Sequence, residues 1–112
     1  ERILFKTRNS PESYEGKKFM DDYVYFSDES AEYLAQKQVR LVGLDFITIG
    51  DFKNEASVTK THTTFLNAGI YIMEDCALGD VPPGDYELLC MPLRVYHGDA
   101  APCRAILRPL QN

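Results

Sequence analysis

The 112-residue sequence predicts an α/β fold in which a mixed sheet carries two helices. Three observations point to it. Apolar runs rich in β-branched residues alternate with two stretches of helical periodicity, the pattern of strand–helix–strand units with parallel strands. The run "VRLVGLDFITIG" (39–50) is almost continuously apolar, as in a strand covered on both faces. The last third holds two strand-like runs separated by a turn, which suggests an antiparallel hairpin. Residues 1–112 are expected to form a single domain.

Taken in order, "RILFKT" (2–7) sets Ile3 and Phe5 against Leu4 and Lys6 and reads as a strand. The polar segment 8–18, with Pro11 and Gly16, is a loop. "DYVYFS" (22–27) reads as a short strand, or as a segment leading into the next helix. Ser27 is a natural N-cap, followed by Asp28 and Glu29 in the first turn. "DESAEYLAQKQ" then places Ala31, Leu34 and Ala35 at helical spacing. After the apolar run 39–50 and a polar stretch 51–57, a second helix is predicted over 58–68. Its apolar side carries Val58, His62, Phe65 and Leu66, and Gly69 is its stop. "IYIM" (70–73) continues as a strand that reaches Glu74, and "VPPGD" (81–85) is a turn. The strand 86–96 contains Pro92, which argues for an edge, a bulge or an early end. "HGDAAP" (97–102) turns the chain into a closing strand, 103–110.

Composition narrows the function. Apolar residues make up 45% and aromatics 12%, enough for a core and too much for a disordered chain. A net charge of −5, with the Lys and Arg scattered rather than gathered on one face, argues against nucleic acid as a partner. The three cysteines are widely spaced and form no CxxC, so no zinc ribbon or redox pair of that type is indicated. Cys90, in an apolar run, reads as a small core residue. With no apolar run near the roughly 18–20 residues of a membrane span and no signal-peptide pattern at the start, a cytoplasmic location and no membrane partner are the expectation. The chain opens in a strand without a Met, so the expectation is that its start is cut.

Candidate chemistry centres on "THTTFLNAGIYIMED" (61–75). His62 and Glu74 stand on either side of a helix-to-strand turn that can bring both to one rim of the sheet. Imidazole and carboxylate suit Zn²⁺ or Mn²⁺. A packed histidine beside a solvated carboxylate fits the same pattern. Asp45 interrupts a buried strand and needs a donor, an Arg or a metal, unless the strand ends at Leu44. Arg94 and Arg104 could recognise a carboxylate or pair with Glu87 or Asp85 across the hairpin. His97 reads as a turn residue.

The segments "ILFKTRNS", "DYVYFSDESAEYLAQKQVRLVGLDFITIGD", "THTTFLNAGIYIMED" and "LLCMPLRVYHGDAAPCRAIL", in this order and spacing, resemble the cyclase family of metal-dependent hydrolases, which includes arylformamidases and isatin hydrolase. The resemblance implies a swivelling β/β/α fold, a homo-oligomer, and metal-dependent hydrolysis of the C–N bond of a small aryl-formamide or cyclic amide. It implies metal ligation by His62 and Glu74, with Asp45 near the site. The family hallmark HxGTHxDxPxH, which supplies the other ligands and the catalytic histidine, needs three histidines, and this chain has two. The chain therefore resembles the C-terminal half of such an enzyme, with no catalytic residue of its own and no expected turnover alone. The competing expectation is a non-catalytic interaction module that retains the fold.

Overall fold

The computed structural model describes residues 1–10 and 20–110. The part of the predicted loop at 11–18 lies outside them. Two compact units, Glu1–Asp80 and Val81–Asn112, are described in turn.

The first unit is built on a parallel sheet of β1 (Arg2–Phe5), β2 (Leu41–Leu44) and β3 (Tyr71–Met73), in the order β1-β2-β3. Leu4 lies opposite Gly43, and Gly43 opposite Met73. Parallel neighbours need long crossovers, and helices α1 (Asp28–Gln36) and α2 (Glu55–Asn67) lie in the two connections. All four residues of β2 are buried, as a central parallel strand requires.

Both helices are bounded by local chemistry. The Ser27 hydroxyl accepts from the Ser30 N–H at 3.2 Å and caps α1. Asn54 does the same for α2 through the Ser57 N–H, so α2 begins three residues before the predicted start. At the other end, Gly69 takes φ +72°. Its N–H donates to Leu66 O and the Ile70 N–H to Phe65 O, both at 3.0 Å, closing a Schellman turn. Phe65 and Ile70 are both buried in the core beside that turn. Leu66, predicted to face inward, is 60% exposed, and the buried side of α2 runs through Thr61 and Phe65 instead.

Residues 22–27 form no strand. Their backbone is satisfied by a side chain rather than a ladder: Asn9 donates from Nδ2 to Val24 O at 2.9 Å and accepts the Val24 N–H at Oδ1, 2.8 Å. The Phe26 N–H donates to Ile49 O at 2.8 Å. The first strand–helix–strand unit therefore starts from β1, not from residues 22–27. The segment still supplies core: Tyr23 stacks on Phe46 with ring centroids 4.0 Å apart, and Phe26 meets Phe65 edge-on at 5.5 Å.

The predicted strand 39–50 shortens to β2, because the chain beyond Leu44 bonds to several separate segments. Leu44 O accepts from Cys76 N, Phe46 O from Asp75 N and Ile49 O from Phe26 N. Gly50 lies close to α2: a Cβ there would stand 2.8 Å from the Val58 Cα, a backbone atom that cannot swing aside. Gly50→Ala is expected to push the first turn of α2 outward and cost about 1–3 kcal/mol, read as a lower urea midpoint with an unchanged slope.

The second unit holds β4 (Tyr86–Pro92) and β5 (Cys103–Pro109), paired antiparallel with Leu89 opposite Ile106. Parallel and antiparallel pairing thus both occur, as expected from the sequence, divided between two sheets. β4 ends at Pro92, the early end that this proline made available. Glu87 pairs with Arg108, directly opposite in register, rather than with Arg94 or Arg104. Cys90 is half-buried rather than part of the core.

Candidate metal centre

The parallel strands all run toward one edge, and the functional candidates cluster where β2 and β3 end. Open α/β sheets bind ligands outside the carboxyl ends of their strands. Asp45 follows β2 directly, and Glu74 follows β3 directly, one residue past the strand into which its sequence placed it.

His62 sits in α2, four residues after Val58, and its Nδ1 lies 2.8 Å from the Val58 carbonyl oxygen. A carbonyl only accepts, so this contact keeps the proton on Nδ1 and turns the Nε2 lone pair outward. Nε2 lies 3.1 Å from Glu74 Oε1. That same oxygen accepts the Ile49 N–H at 3.0 Å, which holds the carboxylate in place. Glu74 Oε2 makes no hydrogen bond among the described residues.

Two acceptors facing each other at 3.1 Å repel unless a proton or a cation lies between them. The donor set fits a cation. Nitrogen and oxygen ligands each about 2.0–2.2 Å from one tetrahedral zinc ion stand roughly 3.3–3.6 Å apart, so the two side chains would part slightly from their 3.1 Å approach to admit one. A ring nitrogen bonded to a backbone carbonyl, with the other nitrogen turned to the metal, is the usual orientation of a ligating histidine. Both side chains remain partly exposed, at 28% and 34%, so a ligand can reach them. Among the described residues no group of three or more His, Cys, Asp or Glu could hold a metal ion.

Asp45 is fully buried, and protein donors occupy its carboxylate. Oδ2 accepts the Thr7 N–H at 2.7 Å and the Ser10 N–H at 3.2 Å, and Oδ1 accepts the Thr7 hydroxyl at 2.8 Å. Both readings of the sequence hold here: the strand ends at Leu44, and the carboxylate has found donors. Asp45 ties the chain leaving β1 to the end of β2, on the rim that carries Glu74. His97 belongs to the hairpin connection, with φ 53° and its ring edge-on to Tyr96.

The sequence pointed to His62 and Glu74 but not to the groups that orient them. Val58 could have been found as the residue four before His62. The Ile49 amide could not, because only the folding of 45–50 beside β3 brings it to Glu74.

No family model matches the chain. It is 36% identical over 112 residues to a kynurenine formamidase of Erythrobacter litoralis, covering 100% of this chain and 50% of the relative. A kynurenine formamidase of Bacillus cytotoxicus is 36% identical over 110 residues, 98% of this chain and 50% of that protein. Among solved structures, a potential metal-dependent hydrolase with cyclase activity superposes with TM-score 0.82 at 37% identity, over 96% of this chain and 50% of the other. A protein described as a predicted metal-dependent hydrolase from Bacillus stearothermophilus superposes with TM-score 0.83 at 38% identity, over 96% and 49%. The chain spans about half the length of the curated relatives it matches.

Proposed function

We propose that this chain, similar over its length to half of a cyclase-family metal-dependent hydrolase, provides His62 and Glu74 as ligands to the divalent metal of an amidohydrolase. The proposed substrate is a small aryl-formamide or cyclic amide, hydrolysed at its C–N bond. The observation that carries this reading is the 3.1 Å approach of Nε2 and Oε1, with the proton held on Nδ1 by Val58. Zn²⁺ or Mn²⁺, when bound, would supply Lewis-acid activation of water and polarisation of the amide carbonyl. The chain's own contribution is positional. Val58 O sets the tautomer of His62, the Ile49 amide fixes Glu74 Oε1, and Asp45 tethers the loop after β1 next to them. Further ligands and the proton-shuttling histidine belong to the HxGTHxDxPxH segment, which these 112 residues do not contain. We propose that the residues described here correspond to the C-terminal portion of such an enzyme, working in the cytoplasm as a homo-oligomer. Among the described residues, no helix is long and apolar enough to cross a membrane.

Two protein ligands hold zinc weakly compared with three or four. The 112-residue chain is therefore expected to bind Zn²⁺ or Mn²⁺ weakly and to leave an aryl formamide unhydrolysed. Titration with each ion, followed calorimetrically, should show binding that disappears in both His62→Ala and Glu74→Ala. Undiminished binding in both variants refutes the ligand assignment. Turnover by the purified chain refutes the partial site.

A further inference from the structure

The antiparallel register of β4 and β5 sets Cys90 opposite Ala105 and Cys103 opposite Pro92. Directly paired residues share a face of the sheet, so both thiols lie on the same face as diagonal neighbours. Their opposite partners, Ala105 and Pro92, are short. Neither cysteine is in a disulfide; Cys90 is half-buried and Cys103 exposed.

We infer that Cys90 and Cys103 form a dithiol clasp for a soft, two-coordinate cation of the copper(I) class, bridging β4 to β5. Distance decides between this and a disulfide. Diagonal neighbours stand about 7–8 Å apart, with somewhat closer Cβ atoms, whereas a relaxed disulfide wants Cβ atoms about 3.5–4.5 Å apart. Replacing one S–S bond of about 2.05 Å by two metal–sulfur bonds of about 2.3 Å lengthens the bridge by roughly 2.5 Å and makes up that gap without moving the strands. Thiolates select soft ions. Imidazole and carboxylate, the rim ligands, suit harder ions, so this clasp takes a different ion from the rim site and does not depend on that assignment.

The titratable groups on this face are Tyr86, Cys90 and Cys103, with Glu87, Arg104 and Arg108 on the other face. Burial, with the hydrogen bond that the Cys90 thiol donates to the Cys103 sulfur, pushes the Cys90 thiol above its ordinary range. The cation must displace that proton, so affinity rises with pH as the thiol gives it up.

The test is anaerobic titration of the chain with copper(I) against a coloured chelator, for the wild type and for Cys90→Ser and Cys103→Ser, with each variant's fold checked by circular dichroism. One tightly held ion per wild-type chain is expected, with tight binding lost in each variant although Cys76 remains. Slower amide exchange along β4 and β5 should accompany loading. Equal binding by either serine variant, or no tightly held ion in the wild type, overturns the assignment.

Discussion

Replacing Phe65 by Ala is expected to destabilise the first unit by about 3–5 kcal/mol, the range for truncating a buried phenylalanine. Against a total of roughly 5–15 kcal/mol for a typical domain, that is a large share. Phe65 is fully buried and meets the edge of Phe26. Its carbonyl closes the turn into β3 by accepting from Ile70, and its ring lies in the cluster that also contains Val42, Leu44 and Ile70. Removing the ring opens a cavity where α2 hands over to β3, between His62 and Glu74 in the chain. Urea unfolding measures the loss. A change below about 1 kcal/mol would mean that the surrounding side chains collapse into the space, and that the helix end is not anchored by this ring.

Asp45→Ala is expected to cost about 3 kcal/mol or more, by a different mechanism. Two backbone N–H groups and one hydroxyl lose their acceptor, as does the Asn9 carboxamide, which reaches Oδ1 at 3.5 Å and keeps its bond to Val24 O, and each buried donor left unpaired costs about 1–3 kcal/mol. Asp45→Asn should cost much less, about 1 kcal/mol, since charge-assisted hydrogen bonds become neutral ones. The carboxamide can keep its oxygen at the Oδ2 position, facing the Thr7 and Ser10 amides. Its nitrogen then faces the Thr7 hydroxyl, which can rotate to accept. Chemical denaturation of both variants separates the two outcomes. Equal losses for Ala and Asn would show that the negative charge, not the acceptor geometry, is what Asp45 contributes.

Motifs whose partners lie within one helical turn could be read directly. Ser27 caps α1 through an amide three residues on, and Gly69 stops α2 by taking a backbone conformation that costs glycine nothing. The buried character of β2 was equally plain from its unbroken apolar run. Residues 22–27 misled because a half-apolar, aromatic segment looks the same whether its backbone bonds to a neighbouring strand or to the side chain of Asn9. Leu66 misled in a similar way. Helical spacing defines a stripe, but the stripe's centre depends on where the sheet lies, and that centre falls nearer Thr61 and Phe65.

The site divides along the same line. Residue types and their order were enough to choose His62 and Glu74 and to raise the family resemblance. Their meeting at 3.1 Å was not readable from the chain, nor was the Ile49 amide on Glu74, nor the enclosure of Asp45 by residues 38 and 35 positions away. Short-range bonds repeat with the period of a helix or strand and so leave a pattern along the chain. Contacts that close across a sheet depend on how separate segments pack together, and only the folded molecule records that.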